Sequence, residues 1–193
     1  MKSYTLENLS PFLIGQGSER LCYRSPDNPR FIIKLSPKGH AKQTKREVSY
    51  FKFLKKHGVP FTHLPAFGDM VHVDGYIGFE QEAVTDADGR LSRTLAEYFQ
   101  IHAIDNVPLR ELLADLYRYI YEYNILPCDL NQNNILLQFT ENGPKLVLVD
   151  GLGNTDFISL GQYWKWWGRR KITRKWPRFI KKHIDPFLKN KPR

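Results

Sequence analysis

Only two cysteines, Cys22 and Cys128, occur among 193 residues. That is too few for a disulfide scaffold or a zinc site, and each reads as a small buried apolar residue. No stretch approaches the ~18 consecutive apolar residues that span a bilayer. The opening residues, Met1 to Asn8, carry no apolar core of signal-peptide length. These absences lead to the expectation of a reducing, cytoplasmic setting. Internal repeats and low-complexity linkers are missing too. Acids are scarce in one region: residues 161–193 contain Asp185 alone beside 12 of the 29 Lys and Arg.

Hydrophobic content of 41% and charged content of 25% fit a globular chain with a real core. Outside residues 161–193 there remain 17 bases and 19 acids, so the net charge of +9 belongs to the tail. All four tryptophans, Trp164, Trp166, Trp167 and Trp176, lie there as well.

The first 83 residues alternate as strands do. Phe12 to Ile14 enters the turn Gly15-Gln16-Gly17-Ser18, and Arg20 to Arg24 leaves it. Phe31 to Leu35 is a third strand ending at Ser36-Pro37. A helix is predicted from about Ala41 to His57, with Val48, Phe51 and Leu54 on one face and Gly58 ending it. A hairpin is predicted around Asp74-Gly75. After Asp86-Ala87-Asp88-Gly89 the period becomes helical, over Thr94 to Ile101 and then Leu109 to Tyr123. Two more strands, Ile135–Phe139 and Leu146–Val149, turn at Glu141 to Pro144. Two helices are expected in the last 43 residues.

Between these elements stands Asp129-Leu130-Asn131-Gln132-Asn133-Asn134, followed by Leu146-Val147-Leu148-Val149-Asp150-Gly151. Phosphoryl transfer needs a carboxylate to accept a hydroxyl proton, and an amide and a second carboxylate to hold magnesium on phosphates. Asp129, Asn134 and Asp150 supply one residue for each role. Upstream, Gly15 and Gly17 would let backbone N–H groups approach phosphates closely. Lys34, at the end of an apolar strand, needs a counter-charge. Glu47, thirteen residues later in a basic helix, can provide it. Glu80 and Glu82 fall in an extended segment whose backbone could meet an adenine edge.

This chain resembles the protein-kinase-like superfamily over roughly residues 10–160. It resembles the bacterial YrbL family more closely, and is similar in plan to bacterial kinases that phosphorylate lipopolysaccharide core sugars. The resemblance implies an α+β, two-lobed fold with a small β-rich N-lobe (1–83), a truncated helical C-lobe (84–160) and a basic tail (161–193). It implies ATP and magnesium as cofactors, Lys34 on phosphate clamped by Glu47, Asp129 as the catalytic aspartate, and Asn134 and Asp150 as metal ligands. The departures point away from regulated protein phosphorylation. Pro127-Cys128 replaces the usual His-Arg, the turn reads Asp150-Gly151-Leu152-Gly153, Arg20 stands where a third glycine would, and no A-P-E segment follows. The expected acceptor is a hydroxyl on a sugar or lipid-linked sugar rather than on a protein. The rival expectation is a non-catalytic nucleotide-binding module that recruits a partner through the tail.

In the tail, Trp176, Phe179, Ile180, Ile184 and Phe187 share one helical face, and Lys175, Arg178, Lys181 and Lys182 the other. Pro177 suits a first helical turn and Pro186 an end. Two readings stand: an interfacial helix on an anionic membrane surface, at the inner face of the cytoplasmic membrane, or the missing core of the large lobe. The expectation is mixed, with tryptophans 164–167 packed on the body and residues 176–188 at the surface. Nucleic acid is not an expected partner, because the body is neutral and carries no nucleic-acid motif.

Overall fold

The structure is a computed structural model that describes residues 2–17, 20–101, 104, 107–152 and 165–189. Ser18, Gly153 and Trp164 of the sequence reading lie outside the described residues. The chain divides into two compact units: residues 1–61 with 65–83, and residues 62–64 with 84–193. Each is a mixture of helix and sheet.

The first unit is a six-stranded sheet in the order β1-β5-β6-β4-β3-β2. The strands are β1 (Lys2–Tyr4), β2 (Leu13–Gln16), β3 (Leu21–Arg24), β4 (Phe31–Pro37), β5 (Phe67–Val73) and β6 (Tyr76–Glu82). Alternation along β4 sorts its side chains to two faces. Ile33 and Leu35 join Leu9, Tyr23, Val71 and Val73 in one apolar cluster. Leu9 comes from α1 (Leu6–Leu9), which Thr5 caps through Asn8 N–H. Lys34 and Ser36 point the other way, toward α2 (Lys42–Lys56), where the Ser36 and Thr44 hydroxyls bond at 2.7 Å. Phe51 of α2 packs against Phe61, Phe67 and Phe79 with ring centroids 5.7–6.3 Å apart. α2 stops where the sequence places its stop. Gly58 takes φ +65°, its N–H bonds Lys55 O, and Val59 N–H bonds Leu54 O, the paired arrangement that glycine at a helix end permits. β1, which pairs in parallel with β5, and α1 were not foreseen.

The second unit holds a three-stranded sheet of β7 (Arg93–Thr94), β8 (Ile135–Thr140) and β9 (Gly143–Leu148). Its helices are α3 (Leu95–Gln100), α4 (Leu109–Glu122), α5 (Lys165–Phe179) and α6 (Asp185–Lys189), with a π turn at Ile180–Ile184. Thr94 and Glu97 form a reciprocal cap on α3. α4 buries Leu109, Leu112, Leu113, Leu116, Tyr119 and Ile120. It ends on Asn124 at φ 54°, with Ile125 N–H on Ile120 O at 2.8 Å. Asn tolerates this left-handed position better than most side chains. The reversal sends buried Ile125 and Leu126 straight into the Asp129 loop.

The tail departs from expectation in both halves. Trp166 and Trp167 are 64% and 43% exposed, whereas Phe179 and Ile184 are buried. Phe187 stacks on Phe99 at 4.2 Å, and Trp176 lies 5.1 Å from Tyr117. Periodicity explains the reversal. Gly168, Ile172, Trp176 and Phe179 share one stripe, and Trp166 falls about 200° away from Gly168 at 100° per residue. Pro177 sits inside the last turn of α5 rather than its first. It lacks the N–H that Thr173 O would accept, and the helix widens into the π turn three residues later. Pro186 is the second residue of α6, not an end.

Truncation after Gly161 should therefore give an aggregating protein, because it uncovers the α4 stripe. Phe179→Ala should cost about 3–5 kcal/mol in chemical denaturation and Trp166→Ala almost nothing. Equal costs for the two substitutions would contradict this packing.

His63 Nδ1–H donates to Leu146 O at 2.7 Å, and the ring lies 5.0 Å from the Tyr119 ring. Burial pushes it below the ordinary histidine value of 6.5, partly opposed by the Leu146 carbonyl. The unfolded chain then takes up the proton at higher pH than the folded one. Stability is complete above 6.5 and is lost as pH falls from there through the depressed folded value. His183 shifts the same way, first through burial. His63→Gln should remove part, not all, of the acid-side slope in stability measured against pH.

Candidate active site

In the second unit the Asp129 loop and the Asp150-Gly151 turn are built against each other. Gly151 O accepts from Cys128 N–H at 2.7 Å and from Asp129 N–H at 3.3 Å. Val149 N–H bonds Asn134 O at 2.9 Å. Gly151 has φ +70°, and a Cβ there would overlap the Asp129 carbonyl and come 2.9 Å from Asn134 Nδ2. Only glycine permits both the backbone conformation and the approach. Asp129, Asn134 and Asp150 are thus brought into one neighbourhood by backbone bonds.

The loop orients its own side chains. Asp129 is exposed. Its Oδ2 accepts from Asn131 Nδ2 at 2.8 Å and from Asn134 Nδ2 at 3.3 Å. Asn134 Nδ2 also bonds Asp129 O at 2.9 Å. With its NH2 side committed, the Asn134 amide turns its oxygen the other way. Asp150 Oδ1 accepts from Gly151 N–H at 2.6 Å. Among the described residues no group of three or more His, Cys, Asp and Glu gathers for a metal. One carboxylate and one amide oxygen are a donor set that fits magnesium, a hard cation that keeps several waters and takes few protein ligands.

Two tail residues reach this loop. Lys175 Nζ of α5 donates to Pro127 O at 2.8 Å and Cys128 O at 3.1 Å. His183 senses the charge of Asp129, which raises its pKa against the stronger lowering by burial and Lys182. Neither role was read from sequence, because both contacts span about fifty residues and leave no local pattern.

In the first unit, Glu47 is buried on α2 and meets two cations. Lys34 Nζ stands 3.8 Å from Oε1, and Arg20 Nη1 donates to Oε2 at 2.6 Å. All three side chains are at most 7% exposed. Arg20, noted in the sequence as a missing glycine, is the closer partner. A signal existed: a long cation leaves the turn toward a helix with a single acid. The turn closes through Gly17 N–H on Arg20 O at 2.8 Å. A Cβ on Gly15 would touch nothing within 4 Å, and one on Gly17 only Arg20 O at 3.8 Å. Packing within the chain therefore does not demand these glycines, and the open space fits phosphate groups close to the backbone.

Glu80 and Glu82 differ from the expected adenine edge. Glu80 is buried, and its Oε1 accepts from Lys2 Nζ at 2.8 Å and Ser25 Oγ at 3.2 Å. Glu82 N–H donates to Ala66 O at 2.8 Å, Glu82 Oε2 accepts from Ala66 N–H at 2.9 Å, and Ala83 N–H donates to Arg30 O at 2.7 Å. The cause is the length of β6, which pairs on both sides as far as Phe31–Glu82 and Phe67–Gln81. Those N–H groups are spent on the carbonyls of Ala66 and Arg30, which lead into β5 and β4.

A family profile described as PhoP regulatory network protein YrbL matches residues 8–184. The chain belongs to the YrbL family. YrbL proteins of Escherichia coli K12 and Shigella flexneri are each 31% identical over 173 residues, covering 86% of this chain and 82% of their own. The solved kinase domain of Mycobacterium tuberculosis PknI is similar at TM-score 0.49 and 16% identity, over 72% of this chain and 56% of its own. The BubR1 kinase domain is similar at TM-score 0.53 and 14% identity, over 72% and 45%. The chain spans about half the length of those two domains. The likeness to BubR1 shows a protein-kinase-like fold for this YrbL family member.

Lys175→Met keeps the stem and removes both bonds to the loop. Amide exchange at Cys128 to Asn134 should quicken at least about tenfold, the equivalent of one lost hydrogen bond to a charged group. Gly151→Ala should cost about 1–2 kcal/mol in stability from its left-handed backbone alone. Unchanged exchange in the first variant would show that Lys175 does not hold the loop.

Proposed function

We propose that this YrbL family member is an ATP- and magnesium-dependent phosphotransferase acting on a hydroxyl. The observation that carries the reading is the packing of Gly151 onto the Asp129–Asn134 loop, which gathers a base and two metal-type oxygens. Magnesium, when bound, would neutralise charge on the nucleotide phosphates. Asn134 and Asp150 would hold it. Asp129, steered through Oδ2 by two side-chain amides, would receive and orient the acceptor hydroxyl. Lys34 would meet phosphate, with Glu47 and Arg20 fixing it and the glycine turn. Adenine recognition would use backbone other than the Glu82 and Ala83 N–H groups.

The acceptor we propose is a sugar or lipid-linked sugar, such as a lipopolysaccharide core sugar, in the cytoplasm. Support comes from Pro127-Cys128, which offers no arginine to a phosphorylated loop, and from a sequence without an A-P-E segment after Asp150.

Magnesium-ATP should raise the melting temperature, since a ligand bound only by the folded state adds RT ln(1 + [L]/Kd). Lys34→Ala and Asp150→Ala should shrink the rise. Asp129→Asn should keep it while lowering turnover about 100- to 10,000-fold across a panel of sugar, lipid and peptide acceptors. Equal phosphate release by wild type and Asp129→Asn would replace this reading with a nucleotide-binding module.

A further inference from the structure

The first half of α5 carries a surface that the candidate active site does not use. A hollow of about 700 Å³ is lined by Tyr121, Trp166, Arg169, Arg170, Thr173 and Arg174. Its cations are arranged on its aromatics. The Arg169 guanidinium lies 4.9 Å over the Tyr121 ring and donates through Nε to Tyr121 O at 3.3 Å. The Arg170 guanidinium lies 5.8 Å over the Trp166 ring. Trp166 and Trp167 stand edge to face, 5.4 Å apart, both exposed.

Charge continues from the hollow along the helix. Arg170, Arg174 and Arg178 recur every four residues and are all exposed, and Lys181 and Lys182 extend the row. No acid occurs between residues 165 and 184. Like charges four apart destabilise a helix, and the folded chain keeps three of them on one line about 12 Å long. Such a row is relieved by an extended anionic partner. Two exposed indoles at its end suit the headgroup layer of a bilayer, where amphipathic rings collect.

We infer that this face docks the protein on an anionic phospholipid surface, with Trp166 and Trp167 entering the headgroup layer and Arg170, Arg174 and Arg178 lying along its phosphates. The interfacial element is thus the start of α5. The apolar side chains of the following segment, Trp176, Phe179, Ile184 and Phe187, pack internally and do not take part. The inference stands apart from the phosphotransferase reading, because none of these residues belongs to the nucleotide or base machinery.

The test is co-sedimentation of the full chain with vesicles of phosphatidylcholine, with and without phosphatidylglycerol. Binding should require phosphatidylglycerol, should weaken in molar salt as the screening length falls to ~3 Å, and should shift tryptophan emission to the blue. Arg170→Ala with Arg174→Ala should weaken binding about 30-fold, at roughly fivefold per basic residue near the surface. Trp166→Ala with Trp167→Ala should abolish most of the emission shift. Because these side chains are exposed, melting temperature and its rise with magnesium-ATP should be unchanged in the variants. The inference is overturned by equal sedimentation with both vesicle types, or by a double variant that binds as wild type does. Retention by single-stranded RNA or a soluble phosphorylated sugar with no vesicle binding also overturns it.

Discussion

The carbonyl of Gly151 is the hinge on which the second unit's chemistry depends. One oxygen accepts from two consecutive amides, Cys128 and Asp129, at the point where a Cβ would collide with the Asp129 carbonyl. Everything proposed for the site follows from that contact. It fixes the distance between the loop and the turn through main chain, so long side chains need not find each other at an entropic cost. It also explains why the side chains at the centre are short. Asp129, Asn131, Asn134 and Asp150 are each within one or two rotatable bonds of a backbone already held in place.

The basic tail changes meaning once it is seen folded. A count of charges suggests an appendage, yet α5 contributes Ile172 and Phe179 to the core and Lys175 to the loop. The same helix therefore serves two masters. Its inner stripe completes the second unit, and its outer stripe faces solvent with arginines and two indoles.

The sequence revealed what local rules govern. Alternation gave the strands of the first sheet, a 3.6-residue period gave α2 and α4, and Gly58 marked a helix end through backbone geometry that only a few residues adopt readily. The D-x-x-x-x-N and D-G spacing exposed the loop and turn because the chemistry sits in short, contiguous motifs. What stayed hidden depends on partners far along the chain. Arg20 looked like a lost glycine until Glu47 was placed beside it. Glu80 looked like a backbone position until Lys2 and Ser25 closed on its carboxylate. Lys175 looked like one more base in a basic run. Trp166 and Trp167 face solvent, against expectation, because the helix phase is set only once Gly168 shares the buried stripe.

The parallel pairing of β1 with β5 has a further consequence. An uncovered β5 would be a seven-residue edge with unpaired backbone groups, a template for another chain. β1 covers part of it through the Lys2–Val71, Ser3–His72 and Tyr4–Val73 register. Lys2 at the same time neutralises the carboxylate of buried Glu80. Removing residues 2–4 would open the sheet to self-association and leave the buried Glu80 carboxylate, among the described residues, with the Ser25 hydroxyl beside it. The segment acts as a seal on the sheet, and its loss would be felt first as reduced solubility.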